Sequence, residues 1–307
     1  MTPFGGPGRG SRGYTDGGPE IFADELTRFA AQLPGRRVAA IAEQLAAPLR
    51  VGLRGRRGVG RRTVGQALRQ AGVLVTGAAD MADTADVVVY VVAEVAKPED
   101  RVAVAAAASS PARPVLVVLN KVDLAGGASA ADVQARLGAP AVPMSGLFAL
   151  AAGADRPADV LGRAIGRAAI DRLVAGRSAD EIRVRLRRLS GVDEVCRRVD
   201  AAGAVVRYRR LAEAVARLEA LAVGSASGAR IAAFLAGDDA VLARMAAAVE
   251  AAGATGAVEP AGPAAQLDRA QRWQRRREAP LGAVHRACAA DIVRGSLRAW
   301  SGARGFR

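Results

Sequence analysis

A chain of 307 residues, half of them apolar, can build one large or two ordinary domains with buried cores, which excludes a disulfide-stapled miniature. A net charge of +14 implies attraction to something anionic, such as RNA, a ribosome, an acidic protein or an anionic membrane face, without choosing among them. No apolar run nears the roughly 18 residues that a membrane span needs, and no long apolar signal core opens the chain. The expected location is therefore cytoplasmic, with the inner membrane face as a peripheral alternative.

Residues 1–18 are rich in Gly, Pro and Arg and are expected to form a disordered arm. Over 19–47 the apolar spacing predicts two helices, near 20–32 and 36–47. Arg50 to Val64 then reads RVGLRGRRGVGRRTV. Val51 and Leu53 suit a short buried strand, Gly55, Gly58 and Gly60 a tight loop, and a helix starts near Arg62. Strand, glycine loop and helix N-terminus together cradle phosphate, because glycine lets backbone N–H groups turn inward and the helix dipole adds positive potential. A plain basic turn is the alternative reading of GRRGVGRR.

The helix runs to about Ala71, and Val73 to Val75 forms a short strand. Ala85 to Val92 (ADVVVYVV) is apolar on both faces, as a buried parallel strand is. Pro98 starts a helix to about Ala108. A strand over 115–119, a helix near 129–137 and a strand near 140–143 follow. The alternation predicts an α/β fold, a doubly wound and mostly parallel sheet, over 48–172.

Two further motifs fall where ligands of such sheets lie, beyond the strand carboxyl ends. Strand 115–119 delivers Asn120-Lys121-Val122-Asp123, and Pro143-Met144-Ser145-Gly146-Leu147 follows the last strand. With GRRGVGRRT over 55–63, the chain here resembles P-loop GTPases of the translation-factor-related class, closest to the Era/Der type. Their first motif, of the form GRPNVGKST, aligns without a gap. Their N-K-x-D motif is matched in full by Asn120, Lys121 and Asp123. Their Ser-Ala pair is matched by Ser145, with Gly146 in place of Ala. The resemblance covers roughly 48–170.

The resemblance implies a site. Gly55, Gly58, Gly60, Arg61, Arg62 and Thr63 would bind phosphate. Asp123 would read the guanine ring N–H and amine, Asn120 would brace the loops, and the Lys121 stem would cover the ring. Ser145 and Gly146 would complete the guanine-binding set, with the Gly146 N–H facing the guanine carbonyl. The cofactor is GTP or GDP. The pattern G-x-x-x-x-G-K-[ST] has Lys and a hydroxyl where Arg61 and Arg62 stand; either the loop no longer needs a compact ammonium, or Arg does a modified version of its job, since the two are not equivalent in a tight site. The family's D-x-x-G acid is missing: Asp80, Asp83 and Asp86 lie in the right segment, and none has Gly three residues on. Guanine-selective binding that depends only weakly on Mg²⁺ and is not followed by appreciable hydrolysis is the expectation, with no catalytic residue and no metal ligand assigned.

Beyond Pro157 strand signals stop, and helices are expected over 158–175, 178–189, 192–222, 228–252 and 263–300, with a basic helical domain over 173–307. Ser190-Gly191-Val192-Asp193 reads as a capped helix start. This tail has a second, looser similarity to bacterial dynamin-like and related actinobacterial GTPases. Arg269, Arg272, Arg275, Arg276 and Arg277 surround Trp273, which either anchors the helix or stacks on a base. Cys196 and Cys288 are isolated and read as reduced structural thiols, and His285, the sole histidine, as a surface or packing residue. The functional expectation is a GTPase-like regulatory or scaffolding module, its partner a second GTPase or another protein. A slow partner-activated GTPase and an RNA- or ribosome-associated binder are the rivals.

Overall fold

The structure, a computed structural model, describes residues 17–76, 84–109, 113–124, 128–161, 176–253, 262–277 and 282–303. It divides by internal contacts into two units, Pro48–Val206 and Met1–Ala47 with Arg207–Arg307. The sequence expectation set the boundary at 172; the contacts set it at Val206, because residues 176–206 pack with the sheet.

In the first unit, β1 (Val51–Arg54), β2 (Val75–Thr76), β3 (Val87–Ala93), β4 (Val115–Asn120) and β5 (Ala141–Met144) form one sheet in the order β2-β1-β3-β4-β5. Every pairing is parallel. Three helices cross between strands: α3 (Arg61–Gln70) follows β1, α4 (Pro98–Ala108) follows β3, and α5 (Ala130–Leu137) follows β4. The chain goes from β1 to one side and then jumps to β3 on the other, so the strand order reverses between β1 and β3.

β3 shows why the sheet is sandwiched. Val87, Val89 and Val91 enter one core with Val64 and Leu68 of α3. Tyr90 and Val92 enter the other with Val104 of α4 and Val133 of α5. All seven residues of β3 are buried, as a strand covered on both faces must be. α6 (Gly146–Ala152), α7 (Pro157–Leu161) and α8 (Ala179–Ser190) gather around Leu161 and Leu186.

Gly191 ends α8 with φ of 72°, and a Cβ there would stand 2.6 Å from the Pro143 carbonyl oxygen. Only glycine makes that turn against β5. The expected capped start is thus an end and a start at once: Ser190 Oγ accepts from the Val192 N–H at 3.2 Å. From there α9 (Val192–Gly224) runs 33 residues. Val192, Val195 and Val199 pack into the sheet core, and beyond Val206 the helix belongs to the second unit.

That second unit is helical: α1 (Gly18–Ala30), α2 (Arg37–Ala46), the end of α9, α10 (Gly228–Ala236), α11 (Asp238–Ala251), α12 (Pro263–Arg277) and α13 (Ala283–Ala303). Phe29 stacks on Phe234 with centroids 4.6 Å apart. The helix expected over 228–252 breaks at Gly237, whose extended backbone caps α11. The helix expected over 263–300 is described as two, α12 and α13. The arm expected over 1–18 falls outside the described residues except Gly17 and Gly18, and Gly18 already opens α1. Of the helix expected over 158–175, residues 162–175 also lie outside them. Among the described residues no helix is long and apolar enough to cross a membrane.

Candidate functional site

The carboxyl edge of the sheet collects the segments that the sequence singled out. The Gly55–Gly60 loop leaves β1 and lies against β3: Gly55 has φ of 135°, and a Cβ on it would stand 2.3 Å from the Val91 carbonyl oxygen. Gly60 also has positive φ, 88°, and hands the chain to α3. Gly58, at φ 84°, has open space beside it. Between them Val59, 4% exposed, plugs into the core and anchors the loop.

β4 ends at Asn120, which is 3% exposed. Its Nδ2 donates to the Val59 carbonyl at 2.9 Å, and its Oδ1 accepts from the Gly146 N–H at 2.9 Å. One side chain therefore ties the glycine loop, the end of β4 and the start of α6 into one rigid edge. A buried Asn that satisfies two backbone groups from distant segments is a positioning device, since losing it strands both. Thr63 joins this cluster through its methyl, which with Asn120 crowds the empty side of Gly146.

Beyond Asn120 the chain turns sharply. Lys121, half-buried, sits in the left-handed region with φ of 66°. The turn closes with the Leu124 N–H donating to the Lys121 carbonyl at 3.0 Å. It sets Asp123 so that its Oδ1 is shielded from water and accepts no hydrogen bond. A buried carboxylate oxygen without a donor is unfavourable, and it marks a place where a ligand N–H fits.

Arg61 and Arg62 open α3 and are exposed. The first turn of that helix carries no acid. Cations at the positive end of a helix dipole disfavour it by about 0.3–1 kcal/mol each, a mismatch that a bound anion reverses. Ser145 is fully buried, and its Oγ caps α6 by accepting from the Phe148 N–H at 3.2 Å.

One expectation changes, and two neighbouring groups are accounted for. The Gly146 N–H, expected to face a purine carbonyl, is already taken by Asn120. The Ser145 N–H is taken as well, by the Ser190 carbonyl at 2.9 Å. Asp86 sits at the opposite end of the sheet, where its Oδ2 accepts from the Arg50 N–H at 2.8 Å at the start of β1, so it is no acid of this site. Asp80 and Asp83 lie outside the described residues. The loop itself does not fit Mg²⁺, since position 62 offers a guanidinium where an oxygen ligand belongs. Among the described residues no three His, Cys, Asp or Glu side chains gather as a metal site.

A group that sequence reasoning missed stands beside the loop. Asp100, in the first turn of α4, is fully buried. Its Oδ1 accepts from Arg56 Nε at 2.8 Å and from the Tyr90 hydroxyl at 2.9 Å, and its Oδ2 from the Lys97 N–H at 2.9 Å. Burial pushes its carboxyl up, but Arg56, the Lys97 amide and Tyr90 outweigh burial and hold it below the ordinary range. Burial first, then the bond to Asp100, pushes the Tyr90 hydroxyl up to about 12. The only sequence signal was an acid three residues after Lys97, which reads as a helix cap.

The other singled-out residues take no part in the contacts described at this edge. Cys196 and Cys288 are free thiols, and His285 is exposed. Trp273 is 8% exposed, an anchor with Arg276 over its ring at 4.7 Å. Arg269 is buried, and Arg272, Arg275 and Arg277 are exposed. The helical unit has its own groove of about 800 Å³, walled by Leu235, Val241, Leu297 and Trp300. Two of its lining cations are matched by acids, Arg244 by Asp291 at 2.7 Å and Arg298 by Asp238 at 3.1 Å. Comparisons with protein-family models, with curated proteins and with solved structures gave no match.

Proposed function

We propose that the Pro48–Val206 unit binds a guanine nucleotide at the carboxyl edge of its sheet, holds it without Mg²⁺ and does not cleave it. The observation that carries this reading is Asn120, whose one side chain joins the Val59 carbonyl to the Gly146 amide. That bond makes the glycine loop and the N-K-x-D turn two walls of one site rather than two separate turns.

The rest of the chemistry agrees. A shielded carboxylate oxygen on Asp123 suits a ring N–H and an exocyclic amine side by side, which guanine carries and adenine does not. Arg61 and Arg62 at the dipole end of α3 suit phosphate and supply charge that a cation would otherwise bring. Hydrolysis needs a held metal and a placed water, and the hydroxyl that would hold the metal is replaced. The chain then works as a regulatory or scaffolding module whose bound nucleotide sets its shape for a protein partner.

Isothermal titration with GDP, GTP and ADP, each with Mg²⁺ and with EDTA, tests this. The expected result is binding of GDP and GTP, ADP at least roughly tenfold weaker, and no change with EDTA. Steep Mg²⁺ dependence, rapid phosphate release or equal affinity for ADP each overturn it.

A further inference from the structure

The glycine loop is pinned at its start by Gly55 against Val91 and at its end by Val59 against Asn120. Its middle is pinned by neither. There Arg57 is exposed, whereas Arg56 meets Asp100 beyond the carboxyl ends of the paired strands β1 and β3. The strand order reverses between these two strands, and ligands of parallel sheets lie outside the carboxyl ends at such a point.

Asp100 divides its two oxygens between two tasks. Oδ2 caps α4 through the Lys97 amide, as an acid in a first helical turn commonly does. Oδ1 accepts from the Arg56 guanidinium and the Tyr90 hydroxyl, both outside its own helix. The carboxylate is fully buried, so without Arg56 it would be a desolvated charge with no countercharge. Tyr90 remains a proton donor throughout the neutral range, so the arrangement has one stable protonation state.

We propose that Asp100 is a positioning residue of the anion site, a latch that holds Arg56, and through it the Gly55–Gly60 loop, in the receiving shape before any ligand arrives. Arg56 is then no phosphate ligand; Arg57, Arg61 and Arg62 meet the anion. The identity of the ligand rests on the nucleotide reading above, whereas the latch is a property of the unliganded chain.

Two readouts on the full chain test it: the rate of tryptic cleavage after Arg57 without ligand, and GDP affinity by titration calorimetry. Asp100→Asn keeps a capping oxygen and turns an amide toward Arg56. Arg56→Gln opens the latch from its half-exposed side. The double variant restores a neutral hydrogen-bonded pair. Each single substitution should speed cleavage and weaken GDP by roughly tenfold, leaving the preference for guanine over adenine intact. The double variant should recover both to within roughly threefold of the native chain. Native-like cleavage and binding in Arg56→Gln, or a double variant no better than the worse single one, overturns the latch. Should Asp100→Asn fail to fold, Arg56→Gln decides alone. If the native chain binds no GDP, the nucleotide reading falls, and cleavage after Arg57 still decides the latch.

Discussion

A Cβ added to Gly60 would stand 2.3 Å from Nδ2 of Asn120, closer than real carbon and nitrogen approach. The glycine loop and the end of β4 are therefore fitted to each other through a missing side chain as much as through a hydrogen bond. Gly60→Ala must also place a methyl-bearing residue at φ 88°. We expect it to destabilise the sheet unit by about 2 kcal/mol and to weaken GDP binding more than tenfold, roughly the joint effect of strain and a displaced Asn120. Urea unfolding followed by circular dichroism, together with nucleotide titration, checks both.

Gly146 tests the same cluster more gently. An added Cβ would lie 3.1 Å from Asn120 Oδ1 and 3.2 Å from the Thr63 methyl, so the neighbours must shift by a few tenths of an ångström. Gly146→Ala should cost about 1 kcal/mol of stability. Thr63→Ser removes the methyl and should restore about half of that in the double variant, a coupling that separate denaturant curves would reveal. Strict additivity would show that Thr63 is not the obstacle.

Asp123 should separate stability from binding. Its buried Oδ1 has no donor in the unliganded chain. Asp123→Ala should leave the unfolding free energy level or raise it by up to about 1 kcal/mol, because an unsatisfied group is removed, as urea unfolding would read. The same change should erase the preference for GDP over ADP. A large loss of stability would mean that the carboxylate serves the fold instead.

Acid should loosen the loop before it unfolds the chain. Asp100 is held below the ordinary carboxylate range by Arg56, the Lys97 amide and Tyr90 against the opposing effect of burial. The native state thus binds fewer protons than the unfolded one in that window. Its contribution is complete above the ordinary aspartate value of about 3.9 and is lost as pH falls through the lower native value. The difference in stability between the native chain and Asp100→Asn should shrink steadily below about pH 4. Exposed carboxylates that are also held down, Asp132, Glu181 and Glu194, are common to both chains and cancel. Thermal melts from pH 6 to pH 3 read this difference (roughly the acid window of a paired carboxylate).

Where local chemistry decides the outcome, the fold was legible. Strand ADVVVYVV has no polar face, so it had to be covered twice, and β3 is. Pro98 fixed the start of α4 to the residue. N-K-x-D was readable because β4 ends one residue into the motif. What escaped depends on partners distant in sequence. Asp100 meets Arg56 across 44 positions, and nothing near either residue announces the other. The Gly146 amide was misread because its partner, Asn120, is 26 positions away. Gly237 is a different case: Gly-Asp-Asp carries a helix start within itself, yet the apolar spacing around it runs on and hides the break. The long α9 misled by continuity, since its Arg-rich surface reads as a bundle helix along its whole length while Val192, Val195 and Val199 serve the sheet.

That last feature has a practical side for anyone dividing the molecule. Trimming the polypeptide after residue 172 would remove Val192, Val195 and Val199 from the core that they share with Val118 and Val142. Such a stub should clump or melt early, whereas a cut past Val206 keeps that flank roofed.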